Sequence, residues 1–204
     1  MYEFLAKGGP VMWPLLACSI VALGVVFERF FFWVLLTART DQKRIGRIFS
    51  FTEAGEFEQA VKEGEETKCV VSQILSVGLA HREYGLVDCL EASAMQEIEK
   101  MKRNLSILDT IITLSPLLGI LGTVTGIIAS FDLLGAAGIE DPKAVTGGIA
   151  QALITTATGL AIAIVALLPY NALVQKVEKA TRHLEKLISS FNITVQKGLE
   201  KRND

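Results

Sequence analysis

Apolar residues gather into three long runs separated by charged stretches. The first runs from Val11 to Leu36, and its only charges are Glu28 and Arg29. The second covers Leu105 to Leu134, with Asp109 and Asp132 near its ends, and the third covers Ala144 to Val174. A helix crosses the hydrocarbon core with roughly 20 apolar residues, so each run predicts a transmembrane helix. The flank MYEFLAKGGP has one Lys and one Glu instead of a basic region, and the apolar run after it is too long for a secretory signal. It predicts an uncleaved anchor.

Between the first two runs the pattern changes period. Ile45, Ile48 and Phe49, then Phe57, Ala60 and Val61, then Val70, Ile74, Leu75 and Val77 follow i, i+3, i+4 spacing, which predicts short amphipathic helices. Gly55, Gly64 and Gly85 are read as the breaks between them. From Leu86 to Leu105 a charged helix is expected to run directly into the second span. After the third run, Val174, Val177, Thr181, Leu184, Ile188, Phe191 and Val195 recur every three or four residues, predicting a long helical tail. Its apolar stripe needs a partner: the 86–105 helix, its copy in a neighbouring subunit, or both. No strand signal and no low-complexity segment stand out.

Lys and Arg set an orientation. Residues 1–10 carry one, 38–104 carry ten, 135–146 carry one and 171–204 carry seven. The expected layout is a periplasmic segment 1–10, a first span 11–37, a cytoplasmic helical insertion 38–104, a second span 105–134, a periplasmic loop 135–146, a third span 147–173 and a cytoplasmic tail 174–204. The fold class is therefore an all-α integral membrane protein with three transmembrane helices, two of them extended into the cytoplasm.

The second and third spans hold the candidate chemistry. On a helical wheel Ser115, Gly119, Gly122, Gly126 and Ser130 fall within about 60°, with Thr123 at the edge. Small residues on one face let helices approach closely, and Pro116 bends the entry of that span. On the third span Gly147, Gly148, Gln151, Thr155, Thr158 and Gly159 form a second small, polar face. Thr156 points roughly 140° from Gln151, so one side can seal against the second span while the other lines a lumen. A hydroxyl in hydrocarbon either bonds back to the i−4 carbonyl or serves a polar path. Thr123 and Thr156 together can ring a pore in an oligomer, and hydroxyls pass protons without accepting one near neutral pH. Neither span has a mid-membrane Asp or Glu, so a titrating carboxylate would come from another chain. Glu28 and Arg29 sit toward one end of their span and read as anchors, with Arg29 snorkelling and Glu28 paired to a cation.

Composition narrows the alternatives. Of 204 residues, half are hydrophobic and 21% charged, and the net charge of −2 gives no global field for nucleic acid. Cys18, Cys69 and Cys89 are isolated, and no metal spacing, Ser-His, Cys-His or paired-carboxylate arrangement suggests an enzyme. His81 and His183 fall on surface positions of predicted helices.

Three segments resemble the MotA/TolQ/ExbB proton channel family, above all its ExbB and TolQ branch. SPLLGILGTVTGI resembles the family's APLLGLLGTVxGM block, and GGIAQALITTATGL with PYN resembles GIAEALxxTAxGL with YN. MWPLLACSIVALGVVFERF is similar to the family's first helix with its Glu-Arg pair. The resemblance implies a homopentamer in the bacterial inner membrane whose second and third spans surround a lumen. It also implies a dimer of single-span ExbD- or TolR-type subunits in that lumen, carrying the essential Asp, and a TonB- or TolA-like protein as a further partner. Protons are then the coupling ion, with no other cofactor, and their flow drives rotation. Thr123 and Thr156 match the family's two lumen threonines, and Gln151 lies where the family often has Glu. The usual proline at Val165 is replaced by Pro169 four residues on, which moves a kink about one turn toward the cytoplasm. A non-conducting membrane scaffold is the alternative that Gln151 suggests.

Overall fold

The computed structural model describes residues 8–137 and 142–203. Residues 1–7 of the N-terminal segment and 138–141 of the 135–146 connection lie outside the described residues. Among the described residues the chain is all helical: α1 Met12–Ala38, α2 Gln42–Glu53, α3 Phe57–Glu65, α4 Val70–Ala80, α5 Arg82–Lys102, α6 Leu105–Ala137 and α7 Pro142–Asn203. Three helices are long and apolar enough to cross a membrane: α1, the stretch that ends in α6 and the stretch that begins in α7. At about 1.5 Å per residue, the 27 residues of α1 reach across a bilayer. The chain divides into two units, Met1–Glu28 with Asn104–Leu173, and Arg29–Arg103 with Val174–Asp204.

The first unit is built on small residues. Along α6 the buried positions are Leu105, Leu108, Ile111, Ser115, Gly119, Gly122, Gly126 and Ser130, a single stripe at helical spacing. Along α7 they are Ala152, Thr155, Gly159, Ala163, Ala166 and Leu173. Large apolar side chains such as Leu117, Ile120, Ile128, Leu160, Ile164 and Leu168 point outward, the arrangement a hydrocarbon solvent favours. On α1 the buried face is Met12, Leu15, Ala22 and Val25.

The second unit has a conventional hydrophobic core. Ile45 and Ile48 of α2, Phe57 and Ala60 of α3, Ile74, Leu75 and Leu79 of α4, and Leu86, Leu90 and Ala94 of α5 pack together. Leu184, Ile188, Phe191 and Val195 of α7 complete it, so the tail stripe joins a core built from the three short helices α2–α4 and from α5, the expected 86–105 partner. Phe191 is fully buried and meets Phe49 edge-on at 5.0 Å.

Two local readings change. Gly55 does end α2, with φ of +83°, and Gly85 kinks α5 with φ of +139°. Gly64 is not a break: it lies buried within α3, where a Cβ would stand 2.6 Å from Ser76 Cβ and 2.7 Å from the Ser72 carbonyl. It is there to let α3 and α4 touch. The charged helix does not continue into the second span either. α5 stops at Lys102, Arg103 is extended, and Asn104 takes a left-handed φ of +64° before α6 begins.

Candidate functional site

The glycines of α6 bring its backbone against α7. A Cβ on Gly119 would meet Thr156 Cα at 3.1 Å and the Thr155 carbonyl at 3.3 Å, and one on Gly126 would meet Ala152 Cβ at 3.1 Å. From the other side, Gly159 lies on the Ser115 carbonyl and 3.1 Å from Gly119 Cα, and Gly148 lies on the Ser130 hydroxyl. Gly122 receives the Thr155 side chain. Gly119, Gly122 and Gly126 thus face Gly148, Ala152, Thr155, Thr156 and Gly159 along one seam. Ser115 is fully buried in it, and its hydroxyl finds no hydrogen-bond partner among the described residues. Pro116 lies inside α6, where it has no N–H to give to the Ile112 carbonyl.

Most hydroxyls here bond back along their own helix. Thr110 donates to the Ser106 carbonyl, Thr113 to Asp109, Thr125 to Leu121, Ser130 to Gly126 and Thr158 to Ile154, all at 2.8–3.1 Å. Thr123 and Thr156 differ. Thr156 Oγ1 donates across the seam to the Gly119 carbonyl at 2.9 Å; Thr123 Oγ1 bonds back along its own helix to that same carbonyl at 3.1 Å but also reaches across to the Ala152 carbonyl at 3.4 Å. The two hydroxyls also share a hydrogen bond with each other. Each has one proton and two lone pairs, so two protons are distributed among four acceptor positions. They can exchange partners without either threonine leaving the seam, and both side chains are half-buried. The wheel placed Thr156 away from the sealing face, yet the seam takes in both members of the Thr155-Thr156 pair. The glycines opposite allow this, because their backbone leaves room for two adjacent side chains.

Thr155 and Gln151 do something the sequence did not signal. Thr155 is fully buried and donates to the Gly8 carbonyl at 3.0 Å or to its own helix at Gln151 at 2.8 Å. The terminal amide of Gln151 lies against Gly9, whose φ is +72°. The polar face of α7 therefore holds the Gly8-Gly9 turn that leads into α1. Only the pair of small residues in MYEFLAKGGP hinted at a close approach.

Arg29 turns inward. It is 3% exposed, donates from Nη1 to the Lys100 carbonyl at 2.9 Å and lies 4.5 Å from the centre of the Phe32 ring. Lys100 sits in the last turn of α5, where carbonyls lack a helical donor, so the guanidinium supplies one. Glu28 accepts from Asn104 Nδ2 at 3.3 Å, at the residue whose left-handed backbone starts α6. Among the described residues no group of His, Cys, Asp and Glu is placed to hold a metal.

The hydroxyl pair and the glycine seam lie on the two sequence blocks that carry the family resemblance, SPLLGILGTVTGI and GGIAQALITTATGL. A sequence model described as the MotA/TolQ/ExbB proton channel family matches residues 65–186, more than half of the chain. The chain belongs to this family, on its ExbB/TolQ branch. It is 39% identical over 179 residues to the putative biopolymer transport protein ExbB-like 1 of Synechocystis, covering 84% of this chain and 69% of that one. It is 41% identical over 93 residues to the biopolymer transport protein ExbB of Aquifex aeolicus, covering 46% and 62%. Over 107 residues it is 35% identical to the Tol-Pal system protein TolQ of Haemophilus influenzae, covering 52% and 47%. As a member of the ExbB/TolQ branch with three apolar helices, it is a multi-pass membrane protein.

Proposed function

We propose that this chain is the stator subunit of a motor driven by the proton-motive force in the bacterial inner membrane. With an ExbD/TolR-type single-span subunit it forms a proton-conducting complex that energises outer-membrane import or another envelope process. The observation that carries this reading is the Thr123–Thr156 hydroxyl pair across a seam without a titrating side chain. Such a pair relays a proton but cannot capture one, so the acid comes from the partner. The family pattern supports a pentamer around a lumen that holds a partner dimer. The Lys and Arg distribution supports a periplasmic N-terminus and a cytoplasmic C-terminus.

In this mechanism the glycine seam fixes the distance between the two hydroxyls. One hydroxyl donates to the Gly119 carbonyl and accepts from the other, the two can exchange these roles, and their free lone pairs turn to water or to a partner carboxyl when the seam faces a lumen. Co-reconstitution with an ExbD-like subunit in vesicles tests it. Thr156→Ala is expected to reduce proton flux on the order of tenfold or more, as loss of a positioned proton-transfer group does, and Thr156→Ser to restore it. Flux that survives both Thr156→Ala and Asp→Asn in the partner overturns the mechanism.

A non-conducting scaffold is the second reading, favoured by Gln151, whose amide does not titrate and whose place against Gly9 is structural. Absence of flux with the partner present, and activity indifferent to uncoupler, would select it.

A further inference from the structure

Directly beyond α1 the chain forms a shallow basin of about 510 Å³. Its wall carries Arg39, Lys43, Arg44 and Lys68, with the hydroxyl residues Thr40 and Thr67 between them. Arg44 is engaged by carboxylates, at 3.8 Å from Asp41 and 3.5 Å from Glu63. Arg39, Lys43 and Lys68 are exposed, and none has an ion pair among the described residues. Asp41 also lines the wall, but it is shared with Arg44; three further cations leave the concave wall net positive, so the basin favours an anion. The start of α2 does not provide the recognition: Asp41 Oδ1 already accepts from the backbone N–H groups of Lys43 and Arg44, both at 3.1 Å. The side chains remain as donors.

Position decides which anion. Ala38, the last residue of the membrane-crossing helix α1, is itself part of the wall. Between one and two turns earlier lies Trp33, a residue type enriched at the membrane–water interface. A basic cluster at this distance from a span lies in the layer of lipid phosphates. We infer that the Arg39–Lys43–Lys68 basin binds the headgroup of an anionic phospholipid, with its phosphate between the three cations and its glycerol hydroxyls on Thr40 and Thr67. This requires only that α1 spans the bilayer; it does not depend on proton conduction or on which side the basin faces.

The test uses the full chain, purified in detergent, with native mass spectrometry of retained lipid. Dioleoyl phosphatidylglycerol and dioleoyl phosphatidylcholine are the probes, and glycerophosphoglycerol is the same headgroup without acyl chains. Wild-type protein is expected to retain phosphatidylglycerol over phosphatidylcholine and to hold the chainless headgroup weakly. The triple change Arg39→Gln, Lys43→Gln, Lys68→Gln should lower phosphatidylglycerol affinity on the order of a hundredfold, since each basic group at an anionic surface contributes about fivefold. Removing the same charge from the tail, by Lys179→Gln, Lys186→Gln and Lys201→Gln, should change it by less than threefold. Lys68→Gln alone serves if the triple variant is poorly folded, with a several-fold loss expected. Equal losses in the two triple variants, or equal retention of both lipids, overturn the site. Binding of glycerophosphoglycerol as tight as that of the lipid overturns the lipid assignment.

Discussion

The Thr155 hydroxyl lies 3.0 Å from the carbonyl oxygen of Gly8, a residue 147 positions earlier in the chain. That single bond, with the Gln151 amide on Gly9, ties the turn before α1 to the buried face of α7. Thr155→Val keeps the volume and removes the donor. It is expected to lower stability by about 1–3 kcal/mol, the cost of leaving a buried carbonyl unpaired, while Thr155→Ser stays near wild type. Thermal unfolding of the two proteins in the same detergent separates the outcomes. Gly9→Ala should act in the same direction, because φ of +72° disfavours a Cβ and the new methyl would enter the Gln151 amide.

Glycine replacements should sort by what lies opposite. A Cβ on Gly159 meets backbone at Ser115 and Gly119, which cannot move aside, whereas one on Gly46 meets nothing within 4 Å. Gly159→Ala is expected to destabilise by about 1–3 kcal/mol through overpacking. Gly46→Ala, in the exposed middle of α2, should stabilise by about 0.5–1 kcal/mol. Melting temperatures moving in the same direction for both would contradict the seam.

Thr123 and Thr156 should behave as one unit. Since they share a hydrogen bond and the Gly119 carbonyl, the losses from Thr123→Ala and Thr156→Ala are expected to be strongly non-additive. A double-mutant cycle on vesicle proton flux checks this. A double variant whose loss equals the product of the single losses would mean that the hydroxyls act separately.

Phe191 anchors the other unit. It is fully buried against Phe49 and the α2–α5 core, so Phe191→Ala should cost about 3–5 kcal/mol. Val195 and Ile188 flank it on the same stripe, and the loss should appear as increased proteolysis of 42–102 and of the tail together.

Arg29→Ala removes the donor to the Lys100 carbonyl and the cation beside Phe32. A loss of about 2–4 kcal/mol is expected, the sum of an unpaired carbonyl and a desolvated cation–π contact. Arg29→Lys keeps the charge without the planar fork and should recover only part of it. Chemical unfolding of the purified protein measures the series.

Helix existence and helix faces were legible because they are local. Ile45, Ile48, Leu184 and Phe191 repeat at helical spacing, and the seam runs along glycines whose interval is visible in the chain. Contacts that depend on meeting across the fold were not. No periodicity links Gly8 to Thr155, and a glycine such as Gly64 looks the same whether it ends a helix or lets two helices touch. The break at Arg103-Asn104 escaped because neither residue is a strong breaker; it depends on Asn tolerating φ of +64°. The inward turn of Arg29 was hidden for a related reason. Snorkelling is the default for an arginine near a membrane surface, and the Lys100 carbonyl that competes for it lies 71 residues away.

The absence of a carboxyl in the Thr123–Thr156 seam also bears on biosynthesis. On the proposed mechanism, hydroxyls bonded to backbone carbonyls hold their protons at any physiological pH and offer no acid of their own, so the subunit alone would carry no current. A cell that makes this chain ahead of its partner, or in excess of it, would then keep its membrane energised. Current would begin only when the acid arrives with the second protein, so order of assembly, rather than a gate, would protect the gradient.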